Sequence, residues 1–320
     1  MEQVTAGQKL KMFVLIAVIL SAEIIGVLVY GATHSQALLA PSSPQQITAS
    51  NEMPQEQPAK TTDEPKENLG YVVADDKLDN LVLSDAHTPV YDKYTLAERK
   101  KQGLTTEMPT LTPYKASQKI AYLTFAGGPD KKNTAAALKI LQEKNVPATF
   151  YVVGRMAQNN PELIKEMFAA KHAIGNHCYE HNYKKLYPHK NNFLADLAKT
   201  DEVIHGIIGV RPLIVRAPGG SMGHFTKEYA PLLKQNGYVY HDWNIDTGDA
   251  TTRRSTAAAQ VKTMLTQMRR DIPNDKMLII LMHLGVGKEE TVKALPQIID
   301  ELRRRGYDFG VVTPMTPKPW

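Results

Sequence analysis

A chain of 320 residues with 42% apolar and 22% charged residues is long enough for one large domain plus extensions, and it can bury a sizeable core. Its formal net charge of +5 suits anionic surroundings, such as a membrane surface or an acidic wall polymer, and is too small to indicate nucleic-acid binding. The solitary Cys178 excludes an internal disulfide, so an exported domain would depend on its core, with Cys178 either buried packing or part of a site.

Residues 1–11 form a short leading tail that carries Lys9 and Lys11. Residues 12–31 are almost wholly apolar, close to the ~20 residues that cross a bilayer, with Glu23 as the one charged interruption. Positive charge on the leading side predicts a cytoplasmic tail and an extracytoplasmic remainder, that is, a single-pass protein of the cell membrane. The alternative is a cleaved signal peptide ending near Ser35-Gln36-Ala37, but the apolar run is longer than the usual ~7 to 15 residues of such signals. Residues 32–68, rich in Pro, Gln, Ser, Thr and Glu and without aromatic residues, read as a flexible linker. Residues 69–116 hold only brief apolar groups and form either a small lead-in subdomain or an arm on the main domain.

From residue 117 to 320, short apolar runs alternate with segments of helical period, the pattern of repeated βα units. Expected strands are Ile120 to Phe125, Ala148 to Val153, Ala173 to Asn176, Leu213 to Arg216, Tyr238 to Ile245, Met277 to Met282 and Tyr307 to Val312. Asn160-Pro161-Glu162 reads as an N-cap and first turn, and a second helix runs from about Thr291 to Arg305 before Gly306. The fold class is therefore α/β, an incomplete (β/α) barrel of about seven strands preceded by a transmembrane helix and a flexible linker. Arg253-Arg254, Arg269-Arg270 and Arg303-Arg304-Arg305 lie apart and read as solvated surface, the last two groups near helix ends.

The unusual residues fall where expected strands end, the face on which barrels build sites from loops. A glycine-rich turn, Thr124-Phe125-Ala126-Gly127-Gly128-Pro129-Asp130, closes the first strand. His177 and His181, four residues apart, are either a pair able to share a divalent metal or two surface or hydrogen-bonded histidines. His177-x-x-Glu180-His181 also fits an inverted zinc-protease pattern, which belongs on a helix, whereas these residues follow a strand. Arg216, in Arg216-Ala217-Pro218-Gly219-Gly220, is either a site residue or a salt-bridge partner of Asp246 or Asp249. His283 ends the Met277 to Met282 strand, as part of a site or as plain packing.

These four segments, together with Asp246-Thr247-Gly248-Asp249-Ala250, resemble in order the polysaccharide deacetylases (the NodB-homology domain, carbohydrate esterase family 4), over about Ser117 to Thr313, nearly two thirds of the chain. The first resembles that family's Thr-Phe-Asp-Asp-Gly-Pro signature, but Ala126 stands at the general-base aspartate and Gly127 at the metal-binding one. His177 and His181 match the family's metal-binding histidines, with Cys178 in place of a hydroxyl residue. Arg216 matches the arginine that orients the catalytic acid, and Pro218 and Gly219 fall on the substrate-binding turn, Gly219 replacing an aromatic wall. Asp249 matches the acid that supports the catalytic histidine, Ala250 replaces a tryptophan of the acetyl pocket, and His283 matches the general acid.

The resemblance implies hydrolysis of N-acetyl groups on cell-wall glycan with a divalent metal such as zinc, the third-ligand position being vacant at Gly127. Ala126 offers no basic atom, and loss of a general base alone costs ~100- to 10,000-fold. The expectation is thus a membrane-anchored, exported deacetylase-like protein with a degenerate site, a pseudoenzyme, whose partners are an N-acetylated wall glycan such as peptidoglycan and the membrane. The alternatives are an active metal-dependent deacetylase with a non-standard site, in which Asp130, Glu180, Cys178, Asp246 or Asp249 fills the vacancy, and a non-catalytic membrane scaffold.

Overall fold

The computed structural model describes residues 70–83, 85–115, 117–251, 255–269 and 276–319. The expected tail, membrane helix and linker lie outside the described residues, as do Arg253, Arg254 and Arg270. Among the described residues no helix is long and apolar enough to cross a membrane.

The lead-in segment holds β1 (Val72–Ala74), β2 (Val90–Asp92) and α1 (Leu96–Lys101). Next come β3 (Ile120–Gly128), α2 (Asn133–Lys144), β4 (Thr149–Val152), α3 (Gly154–Asn159), α4 (Pro161–Ala169), β5 (Ala173–Asn176), α5 (Tyr183–Leu186) and α6 (Lys190–Ile208). The chain finishes with β6 (Arg211–Pro212), β7 (Ile214–Val215), α7 (Tyr229–Gln235), β8 (Val239–Tyr240), β9 (Ile245–Asp246), α8 (Ala257–Gln267), β10 (Met277–His283), α9 (Glu289–Arg304) and β11 (Asp308–Gly310). Seven parallel strands form an open sheet in the order β8-β7-β5-β4-β3-β10-β9, and β11 pairs with the first half of β3. This is the incomplete barrel expected from the βα rhythm.

β3 organises both faces, because its side chains alternate across the sheet. Ala121, Leu123 and Phe125 pack outward with helix residues such as Leu138, Leu141, Ile164, Leu295 and Ile298. Ile120, Tyr122 and Ala126 turn inward and cluster with Tyr151, Ile214, Ile279 and Leu281. Position 126 therefore sits on the inner face, at the end of β3 where the site lies.

Two local expectations change. Asn160 precedes Pro161 as expected, but its amide donates to the carbonyls of Met156 and Pro129, at 2.9 and 3.3 Å, rather than capping α4. The single strand expected from Tyr238 to Ile245 is two short strands, β8 and β9, because other groups claim the backbone between them. Arg216 takes the carbonyls of His241 and Asp242, and the Asn244 side chain bonds β10 in place of a strand ladder, donating to Met277 O and accepting from Ile279 N.

The lead-in segment packs on the main domain as an arm. β2 runs parallel to β1 and antiparallel to β6, giving a second, three-stranded sheet. The arm is fixed by fully buried charges: Arg99 binds Asp92 through Nε (2.6 Å) and Nη2 (2.9 Å), while Arg211 meets Asp92 at 3.0 Å and Asp201 at 3.2 Å. Tyr91 ties β2 to β5, donating to His172 O and accepting from Ile174 N.

His172 is buried, and its Nδ1 accepts from the Ala148 N–H, which only an unprotonated nitrogen can do. Burial lowers its pKa to about 4. The unfolded chain then binds the proton first, so this contribution to stability is complete above about pH 6.5 and is lost as pH falls toward 4, by up to about 3 kcal/mol. Unfolding measured between pH 7 and 4 should show a shallower acid loss for His172→Gln than for the unaltered chain; parallel curves would refute the assignment.

Candidate active site

The turn after β3 is a glycine bulge. Ala126 pairs with Tyr151 and Gly128 with Val152, leaving Gly127 unpaired at φ +76°, where glycine carries no steric penalty. A Cβ built there meets only His283 Cδ2, at 3.8 Å, so position 127 faces His283 across open space. No carboxylate comes from either Ala126 or Gly127.

His177 and His181 lie in the loop that follows β5, not on a helix, which removes the inverted zinc-protease reading. Cys178 and His181 hold left-handed conformations, φ +64° and +54°, each costing about 1 kcal/mol or more. Two acceptors hold the loop: Asn176 Oδ1 takes the Cys178 N–H at 2.9 Å, and the Asp196 carboxylate takes those of Tyr179 and Glu180. Asp196 carries no motif signal, being one acid within the long α6.

His177 Nδ1 lies 2.8 Å from the Arg216 carbonyl, which only accepts, so that nitrogen bears the proton and Nε2 keeps its lone pair. His181 Nε2 lies 3.2 Å from it. Two ligands of one tetrahedral zinc, at about 2.0–2.1 Å each, would stand about 3.3 Å apart. Burial first, then the neighbouring charges of His181, Arg216 and His283, holds His177 well below the usual histidine range; burial also lowers His181. Both rings are therefore suited to be neutral ligands. Among the described residues, however, no three His, Cys, Asp or Glu side chains converge, so the donor set is one short of a catalytic zinc centre.

None of the candidate substitutes supplies the missing group. Asp130 accepts from the N–H groups of Lys132 and Asn133 at the start of α2. Asp246 accepts from the Gly248 N–H. Cys178 is fully buried among Phe193, Leu197 and Val215, and burial pushes its thiol well above the ordinary range, which makes it packing. Glu180 lies on the cleft beside His181 without completing a metal-binding cluster.

Asp249 and His283 form a dyad. Asp249 Oδ1 accepts from His283 Nδ1 at 2.8 Å, and Oδ2 accepts from the His283 N–H at 2.7 Å and the Thr291 hydroxyl at 2.9 Å. Burial opposes ionisation of Asp249, but the contacts with His283 and Thr291 outweigh it and hold the carboxyl below its usual range. This leaves His283 Nε2 as the ring nitrogen free of the dyad.

Arg216 does not pair with Asp246 or Asp249. Its guanidinium, 1% exposed, donates to Thr124 Oγ1 (2.6 Å) and to the carbonyls of His241 and Asp242 (both 3.1 Å), and it lies 4.2 Å from the Tyr151 ring. Burial lowers its pKa. The Asp242 carboxylate, another residue without a motif signal, accepts instead from Ser221. Thr124 and Ala126 are two apart on the same face of β3, so the methyl of Ala126 stands one pleat beyond the hydroxyl that Arg216 uses.

Pro218 is buried, and its carbonyl accepts from the Tyr187 hydroxyl at 2.6 Å. Gly219 is exposed at φ +78°, yet a Cβ there would lie 2.7 Å from Tyr183 Cε1 and 2.9 Å from His224 Nε2. The space that a side chain at position 219 would take is thus occupied by Tyr183, from the His177–His181 side, and by His224. Ala250 is exposed and supplies no wall. A cleft of about 540 Å³ opens beside this corner, lined by Arg155, Glu180, His181, Asn182, Tyr183 and Lys184. Another of about 520 Å³, along Tyr238, Val239 and Tyr240, contains none of the site residues.

The chain is similar to known proteins. Residues 114–241 match the polysaccharide deacetylase family model. A peptidoglycan-N-acetylglucosamine deacetylase of Bacillus cereus is 34% identical over 197 residues, covering 60% of this chain and 68% of the relative. Among solved structures, a carbohydrate esterase family 4 esterase of Streptococcus mutans superposes with a TM-score of 0.58 at 27% identity, covering 67% of this chain and 94% of that one. A polysaccharide deacetylase of Bacillus cereus gives 0.55 at 32% identity, covering 61% and 92%.

Proposed function

Because the chain belongs to the polysaccharide deacetylase family, we propose that it is an exported, membrane-tethered deacetylase-like protein that engages an N-acetylated cell-wall glycan and has lost efficient hydrolysis. The tether is the apolar run of residues 12–31. The observation that supports this is the end of β3, where Ala126 and Gly127 carry no carboxylate on the face that holds His177, His181 and the Asp249–His283 pair. Amide hydrolysis requires a base to take a proton from water, and Ala126 has no atom that could. Asp249 is already engaged by His283 and Thr291, so it supports the histidine and not the water. In the family's zinc-dependent chemistry the metal polarises the acyl oxygen and holds the water; the two imidazoles here are too few donors for that role.

The expected result is binding of the full chain to purified peptidoglycan or chitooligosaccharide, with acetate release at the level of the buffer. No binding at saturating ligand would sink the reading. The intact Asp249–His283 dyad favours one second reading, slow hydrolysis with His283 as the proton-transfer group. Acetate release above background that disappears in His283→Ala would establish it.

A further inference from the structure

Among the described residues the large apolar side chains that stand exposed are Tyr183 (42%), Met222 (80%) and Val286 (83%). Each lies in the segment that follows a site strand: Tyr183 after β5 with His177 and His181, Met222 after β7 with Arg216, and Val286 after β10 with His283. The apolar exposure of the domain is therefore gathered on the face that carries the site. Of the three, Tyr183 is the one that lines the cleft beside His181.

Tyr183 is the member held in a fixed pose. Its ring stands edge-on to His181 (5.7 Å between centroids) and near His224 (5.5 Å), filling the space beside Gly219. Behind it Tyr187 stacks on His224 at 4.3 Å, with 8° between the planes, and donates to the Pro218 carbonyl. This support keeps the Tyr183 ring in place without burying it, at low entropic cost on binding. Around it the 540 Å³ cleft presents a guanidinium, an ammonium, a carboxylate and an amide, from Arg155, Lys184, Glu180 and Asn182. One aromatic ring with a hydrogen-bonding perimeter suits a pyranose, which has an apolar C–H face and a polar edge of hydroxyl and acetamido groups. A protein partner would call for a contact of about 1,000 Å² or more.

We propose that Tyr183 is the aromatic platform on which one hexosamine ring of the glycan rests, and so the residue that sets sugar affinity at the mouth of this site. The assignment rests on the glycan-binding reading above. The test is calorimetric titration of the full chain in detergent with chitopentaose, for the unaltered protein, Tyr183→Ala and Tyr183→Trp, with melting temperatures recorded alongside.

The expected result is a roughly tenfold or greater weakening for Tyr183→Ala, with Tyr183→Trp within about threefold of the unaltered chain and melting temperatures unchanged. Equal affinity of the unaltered chain and Tyr183→Ala would overturn the platform while leaving glycan binding intact. Equal loss in the alanine and tryptophan variants would also overturn it, because tryptophan keeps the aromatic face. No binding by the unaltered chain would overturn both readings together.

Discussion

Replacing Ala126 and Gly127 together by aspartate is expected to raise acetate release from an N-acetylated glycan by about 100-fold or more over the native chain, assayed with zinc present. The lower bound is the usual contribution of a general base, ~100- to 10,000-fold, before any gain from a third metal ligand. Position 126 lies on the inner face of β3, one pleat beyond the Thr124 that Arg216 bonds. Position 127 is left-handed, a region aspartate tolerates better than most residues, and its side chain would enter open space toward His283. The Ala126→Asp change alone should fall well short of the pair, since both losses affect the same water. If the native chain and the double variant release acetate equally, loss of chemistry at this turn is disproved. If the double variant stays silent while still binding glycan, the departures at Gly219 and Ala250 become the limiting ones.

The second large effect is on stability. Asp92→Ala should destabilise the chain by about 3–5 kcal/mol, because it leaves the buried guanidiniums of Arg99 and Arg211 without their shared carboxylate. For a domain of this size that corresponds to a fall in melting temperature of roughly 10 °C. Asp201 cannot replace Asp92: burial pushes its own pKa up to about 6, and it serves Arg211, Tyr238 and Asn176. The arm should detach early, so limited proteolysis should cut the variant in the lead-in segment before the barrel. A loss below about 1 kcal/mol would show that the network is incidental to docking the arm.

The barrel was legible because its signals are local. β3, β4, β5 and β10 read as apolar runs, and α9 as a long amphipathic stretch, since burial imposes period on sequence. The segment from Tyr238 to Ile245 was misread because its conformation is set by groups distant in the chain, Arg216 and β10, which no local pattern announces. The buried contact between Asp92 and Arg211 was invisible for the same reason, the partners being 119 residues apart. Within the site, the histidines, Arg216, Asp249 and His283 could be located because a motif order carried them. Asp196, Asp242 and Tyr183 could not, since an ordinary acid in a helix and a tyrosine in a loop gain meaning only from what they face. Cys178 illustrates the converse, a residue conspicuous in sequence that is simply packed.

The bonds of Arg216 bear on why motif residues persist in a sequence. Its guanidinium joins Thr124 on β3 to the carbonyls at the bend between β8 and β9, and Asp249 satisfies both a backbone N–H and a hydroxyl. Selection against unfolding is enough to retain such residues whether or not the chain turns over a substrate. Ala126 and Gly127 form no side-chain hydrogen bond and stand outside this bonded frame. Surviving motif residues of this kind therefore report on the scaffold, and activity has to be read at positions that carry no structural duty.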